Sequence, residues 1–492
     1  MIGKKHFEIG ANEFLAGVTS GANTNDGGLS NETRAINITS VPGTIYAPAQ
    51  EVDESTNLAD EIIASCEDPT YLGEERMFLD DAGNFYTFDG SSLTKKKTAS
   101  ADLFTQGTTD FIPWKDDANA NPNFYATTTA GANGEIVRWD GSTGALVEDW
   151  WTNAAYGNQG SSLSAFTAWR PLLEYETNMY VGDKNKLHRI APDLTVSPGI
   201  LDFTYTESIS ALGIDQGTGK MLIATTTVVD WSGGRNGSSK IKIYDGYSNK
   251  VQKVVPISGT VTAFKSVGNT TFVFYGNKLG YWTGSGIEYL RTLNFANGSS
   301  DKLIYPHRTT SIDNTLYWVD TAISGAYKAN CMVMAYGETV NNVNAFYPVL
   351  YPAAAATQNK SITCLAATSS TELGFSYETS KFYTFDTTSV ATNGDGSFTT
   401  KRYNFPTEVT FNGVIIEFDK VMPASSASLG IQLTDSNGNT TTLPQATPGV
   451  RTDMYEFTST YPTIETRSIQ LLGTLSAALN GVRRVTVFYT PK

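Results

Sequence analysis

Histidine and cysteine are nearly missing from this chain. Three of each stand among 492 residues: His6, His188, His307 and Cys66, Cys331, Cys364. Three cysteines so far apart form neither a disulfide framework nor a metal-ligand spacing, so they read as small buried side chains. Long apolar runs are missing too. None approaches the roughly 20 residues that span a bilayer, and the opening "MIGKKHFEIGANEFLAG" has no apolar stretch of signal-peptide length. We therefore expect a chain made in a cytoplasm and not inserted in a membrane. There is no excess of basic charge. The 35 Lys and Arg against 49 Asp and Glu leave a net charge of −14, which disfavours tight binding to nucleic acid or to an anionic membrane. No P-loop, dinucleotide fingerprint or nucleophile elbow is present, so no motif supports a Ser-His-Asp arrangement. The expectation is no enzyme and no cofactor, with no catalytic, cofactor-binding or metal site to assign.

What the chain does have is aromatic residues, at 12%, with 40% hydrophobic and only 17% charged residues. Rich in Thr, Ser, Asn and Gly besides, this is the composition of β-strands joined by many turns. The length exceeds one ordinary core. The stretch "NFYTFDGSSL" from Asn84 shows the local rule: alternating aromatics run into Asp89-Gly90, two residues that accept the positive φ of a tight turn.

That strand-and-turn unit recurs. "EERMFLDD" precedes "NFYTFDG"; "NFYATTTA" precedes "EIVRWDG"; "NMYVGDKN" precedes "KLHRIAPD"; "KMLIATTT" precedes "KIKIYDG". "TTFVFYGN" with "KLGYWTG", "TLYWVD" with "CMVMAYG", and "ELGFSYET" with "KFYTFDT" complete the series. The turn residues Asp89, Asp140, Asp193 and Asp245 fall 51, 53 and 52 residues apart. The later units end at Thr283, Gly337 and Asp386. Periods of roughly 40–50 residues built from paired strands are those of propellers.

Each pair has flanks. "EIIASCED", "TDFIPWKD", "LSAFTAWR", "ISALGIDQ", "VTAFKSVG", "RTTSIDN" and "ITCLAATS" precede, and runs such as "KVQKVVPI", "IEYLRTL" and "VNAFYPVL" follow. Four strands per unit make a propeller blade, which hides its faces only by stacking in a ring. The fold class expected is all-β: a β-propeller of about seven four-stranded blades over residues 61–405. An extended N-terminal arm (1–60) precedes it and a small C-terminal β-sandwich (406–492) follows. The arm is polar and Gly-rich, and Ile36, Ile38, Val41, Ile45 and Tyr46 give it something to order against a neighbour. The sandwich is read from "VTFNGVIIEFDKV", "SLGIQLTDSNGNTTTL", "SIQLLGTL" and "RRVTVFYTPK". In it "DSNGN" (435–439) reads as a hairpin turn and not a calcium loop, because acidic ligands are too few.

The remaining candidates have plain readings. The Asp-Gly turns are turn formers. "DDAGNFYTF" is similar to the Asp-box of sialidases but occurs once and incompletely. Asp116-Asp117 and Glu148-Asp149 are adjacent acids; neighbours on a strand point to opposite faces, so neither is a glycosidase pair. Trp150-Trp151 reads as blade packing ahead of a sugar platform.

In this order of parts the chain resembles the tail-hub or nozzle proteins of short-tailed bacteriophages, also called packaged-DNA stabilisation proteins. The likeness in motif lies at the end. "VIIEFDKV" followed by "IQLTDSNGNTTTLPQ" resembles that family's strand and hairpin, and "IQLLGTLSAALNGVRRVTVFYTPK" resembles its closing strands. The resemblance implies a structural virion protein of the tail, made in the host bacterial cytoplasm. Its partners would be copies of itself in a six-fold ring, with portal, adaptor and other tail proteins, and DNA would pass through without specific binding. The arm departs from that family. Two alternatives stand beside it: a carbohydrate-binding, receptor-binding propeller, and a polysaccharide-cleaving enzyme on the same fold. A sugar binder repeats an aromatic at one equivalent loop; here the repeated aromatics precede the turns, inside strands, which favours core.

Overall fold

The computed structural model describes residues 5–9, 39–41, 44–46, 52–53, 58, 60–66, 76–99, 104, 109–119, 121–128, 136–141, 146–151, 163, 169–227, 238–293, 304–321, 330–338, 344–350, 361–378, 381–387, 396–399, 403–418, 429–442, 452–456, 465–475 and 482–492. They form an all-β structure: seven four-stranded antiparallel sheets and one ten-stranded sheet. The seven sheets are the blades of a propeller, and every strand pair expected from the repeat is the second and third strand of one blade.

Blade one illustrates how sequence makes a blade. Its strands are Ile62–Cys66, Arg76–Asp80, Asn84–Phe88 and Leu93–Thr98. The first three are buried on both faces, while the fourth, "LTKKKT", lies on the rim and has no buried residue. A strand covered on both sides tolerates continuous apolar sequence, and an outer strand does not. The "NFYTFDG" stretch is the third strand with its outer turn. Gly90 takes φ +90°, and the Asp89 carboxylate accepts the Ser91 and Ser92 N–H groups at 3.0 and 2.8 Å.

The first strands of the blades ring the axis: Ile62–Cys66, Phe111–Trp114, Leu172–Tyr175, Glu207–Ile214, Val261–Val267, Thr309–Ile312 and Cys364–Ala367. Each touches the next, and the last touches the first. The approach is close enough to exclude side chains in places. A Cβ on Gly213 would sit 2.5 Å from Cβ of Phe264 in the neighbouring blade.

Three local expectations shift. "LSAFTAWR" is not the first strand of blade three; that strand is Leu172–Tyr175, beginning after Pro171. Blade seven has three consecutive strands and takes its fourth from the other end of the chain: Val52–Asp53 pairs with Thr384 and Tyr383. This closes the ring non-covalently, and it places residues 52–53 in the propeller rather than in an arm.

The described parts of the arm are extended, but they are built into the terminal sheet. Lys5–Ile9 pairs along Val485–Tyr489. The hairpin Thr39–Val41 and Thr44–Tyr46 joins the same sheet through Ile45 and Val482. Val41, Ile45 and Tyr46 therefore lie in strands; Ile36 and Ile38 lie outside the described residues. The sandwich also begins before residue 406, with Gly396–Thr399 and the long strand Tyr403–Phe418. Its buried residues, among them Phe411, Val414, Val485 and Val487, form one cluster with Trp318, Phe375 and Phe274 of blades five to seven. Among the described residues no helix is long and apolar enough to cross a membrane.

Candidate functional site on the propeller axis

A cavity of about 510 Å³ opens among the first strands of blades one to six. Its wall is mainly apolar, with Phe111, Leu172 and Phe264, and it carries few polar side chains: Ser65, Asp110, Lys265, His307 and Thr309. Concave, largely apolar sites with a few convergent polar groups are where small ligands bind.

His307 reaches the axis because a Pro306–Arg308 3₁₀ turn precedes blade six. Pro306 fixes φ at the start of that turn, and Arg308 N–H closes it on Tyr305 O at 2.9 Å. Asp110 sits just before the first strand of blade two. Its N–H donates to Thr127 Oγ1 at 2.8 Å. One carboxylate oxygen accepts Leu172 N–H of blade three at 2.7 Å, and the other accepts Phe111 N–H at 2.9 Å.

His307 Nε2 lies 3.1 Å from Asp110 Oδ1, while its Nδ1 accepts Ser65 N–H of blade one at 3.3 Å. An accepting Nδ1 assigns the ring proton to Nε2, which donates to Asp110. Both nitrogens are thus occupied by protein. A general base needs one nitrogen open to the proton it takes, so in this arrangement the Asp110–His307 pair is a tie among blades one, two, three and six. Trp169, almost fully buried, packs 6.0 Å from His307 and 6.4 Å from Tyr305 by ring centroids.

Other buried charges lie inside blades. In blade three Arg170 Nε is 3.4 Å from Asp183 Oδ1, and Arg170 also donates to Thr128 O of blade two at 2.9 Å. In blade four Glu207 accepts from Lys240 and Lys242, and Lys242 lies 4.1 Å over the Phe203 ring. Burial pushes the Lys242 ammonium below the ordinary lysine range against the pull of Glu207. Burial would raise Glu207, but the two lysines outweigh it and hold the carboxyl below its usual range. In blade one Asp81 is pushed up to about 7, first by burial and then by the charges of Asp60, Asp80 and Glu61.

The residues singled out from sequence mostly do not meet. Cys66 and Cys364 are buried and form no disulfide, and the side chain of Cys331 lies outside the described residues. His6 is exposed beside Phe488, at 5.7 Å. His188 is buried in blade three, 3.8 Å from Asp183. Only His307 joins the axial cavity. Asp116 is buried and caps its own loop, accepting Ala118 N–H at 3.0 Å and the Tyr125 hydroxyl at 3.2 Å; Asp117 is exposed. Glu148 and Asp149 lie in a turn. Trp150 and Trp151 are buried between blades two and three, with Trp150 4.8 Å from Tyr125. Asp193 and Asp245 cap turns through N–H groups. Those bonds, from Ser248 above all, hold the Asp245 carboxyl well below the usual range. Asp435 accepts Asn437 and Asn439 N–H at 2.8 and 2.9 Å, so "DSNGN" is a hairpin turn. Among the described residues no group of three or more His, Cys, Asp or Glu is placed to hold a metal ion.

Sequence reading missed Asp110, Ser65, Trp169 and Lys265. Asp110 stands in "TDFIPWKD", which reads only as a strand; nothing local marks that its carboxylate crosses to two other blades.

The chain is thus a seven-bladed β-propeller carrying a β-sandwich built from both of its ends. No family model matches it, and no curated protein does. Among solved structures it is similar to one described as that of a "putative gluconolactonase". That likeness covers 72% of this chain and 97% of the other, at 10% identity and a TM-score of 0.35. The expectation of no enzyme activity is corrected on this point: a propeller described as an enzyme is among the structures the chain is similar to. Missing motifs exclude no chemistry on this fold. At this distance the likeness transfers no substrate and no residue role.

Proposed function

We propose that the chain is a structural protein of a bacteriophage tail, one subunit of a ring-forming hub or nozzle that contributes to the DNA channel. The observation that carries the reading is that strands far apart in sequence are paired with one another. The first described strand pairs with the last, and residues 52–53 complete blade seven. A particle part that meets mechanical load benefits from strands far apart in sequence sharing one sheet. The turn at Asp435, one of the stretches that carry the resemblance, is a hairpin turn, as its own residues predict.

The axial tie between Asp110 and His307 gives the reading a consequence. DNA would pass between subunits and not through a propeller. A chain with net charge −14 suits a wall that does not grip phosphates.

The test is sedimentation of a source culture, with peptides of this chain followed by mass spectrometry. Co-migration with dense, DNA-filled particles at a fixed ratio to the portal is the expected result. Recovery only among soluble proteins overturns the reading.

A further inference from the structure

We propose that the edge of the last strand, Val482–Pro491, is a strand-acceptor site, filled in the assembled ring by Lys5–Ile9 of a neighbouring copy of this chain. The inference rests on the ring reading above and says how its subunits are joined.

Lys5–Ile9 makes one ladder only, antiparallel to Val485–Tyr489, with no other strand partner among the described residues. Its centre is an aromatic anchor. The Phe7 ring lies 4.9 Å from Tyr403, 5.7 Å from Phe405 and 6.2 Å from Tyr489, and Phe405 and Tyr489 are themselves 5.0 Å apart. Remove the strand, and a sheet edge with three aromatic rings is laid open. This is the chemistry of strand addition: main-chain hydrogen bonds give affinity, and a side-chain slot gives register.

The donor is tied to its own subunit by a long segment. Between Ile9 and Thr39 stand 29 residues, which span at most about 100 Å when extended. The same ladder therefore forms within a chain or between chains with identical contacts. The choice falls to subunit concentration, as in domain swapping. The Thr39–Tyr46 hairpin and Val52–Asp53 stay with their own subunit in either case, so only the first strand moves. A donor strand and an acceptor edge are different patches on one chain. That is the head-to-tail contact a closed ring needs.

The test uses two full-length chains with different tags, one carrying His6→Cys and the other Phe488→Cys. These positions face each other in register, within reach of a disulfide. The two are mixed during assembly, then mildly oxidised. The expected result is a shift of ring-fraction chains from the 53.2 kDa monomer to twice that mass, carrying the mixed-tag disulfide. Glu8→Cys with Thr486→Cys, the next pair in register, repeats the test where the first substitutions disturb folding. Rings that form without a mixed disulfide overturn the exchange and leave the ring reading intact, a result checked by the double variant His6→Cys/Phe488→Cys cross-linking only within chains. Monomers at every concentration overturn both.

Discussion

The propeller and the terminal sandwich are built by opposite routes. Six blades take four strands in unbroken sequence order, so each hairpin is local. The terminal sheet joins residues 5–9 to 485–489 and 45 to 482, pairings almost as long as the chain. Blade seven stands between the two, with three local strands and one from the far end. The difference teaches where stability and order of assembly reside. Local hairpins repay their loop closure early, whereas the terminal sheet must close a very long loop first. Blades one to six are expected to form independently of the chain ends, blade seven to need residues 52–53, and the sandwich to depend on both ends.

The largest effect probes whether the two regions share a core. Trp318 of blade six is fully buried in the cluster that also holds Phe411 and Val487 of the sandwich. Trp318→Ala is expected to cost about 4 kcal/mol and to shift the unfolding of both regions together. Denaturant titration read by separate probes in each region checks this; loss in the propeller alone would show that the cores are energetically separate.

Next comes the axial tie. Asp110→Ala removes the acceptor for His307 Nε2, Leu172 N–H and Phe111 N–H. Leaving buried donors unpaired costs about 3 kcal/mol. The loss should fall on blades one to three and six, read by amide exchange, with the terminal sheet unchanged. A variant as stable as the parent would mean that water replaces the carboxylate.

Phe7→Ala tests the opposite side. Phe7 is half-buried, so the loss is expected near 1–2 kcal/mol. Faster amide exchange should appear in residues 482–491 while the blade strands keep their protection. Equal change in the blades would refute their independence from the chain ends.

The smallest effect is electrostatic. The folded pKa of Asp81, about 7, lies above its ordinary 3.8. A raised carboxyl favours the folded state at low pH, and that contribution is lost as pH rises through about 7. Asp81→Asn should match the parent near pH 4 and exceed it by about 1 kcal/mol above pH 8, a figure discounted for the partial solvent exposure of the group. Melting curves across that range decide it. No gain at pH 8 would place the Asp81 charge in water.

Much of the propeller was legible because its signals are local. "NFYTFDG" carries its strand, its burial and its turn in seven residues, and the same grammar recurs in each blade. "LSAFTAWR" misled because it is as apolar as a first strand, yet Pro171 and the packing of Trp169 start the strand at Leu172. The site was not legible. Asp110 is an acid at the start of a strand, and His307 follows a proline; neither position announces the other, 197 residues away. Phe7 likewise gives no sign in sequence of the three rings that receive it.

The sequence by itself determined the all-β class, the seven blade units, their turns and the terminal strands, because strand periodicity and turn chemistry act within a few residues. Tertiary structure alone decided which strand completes blade seven, that both chain ends share one sheet, and that an aspartate and a histidine meet on the axis. Those choices follow from ring closure and from pairing every buried polar group and sheet edge. Each is a condition on the whole chain that no short stretch of it records.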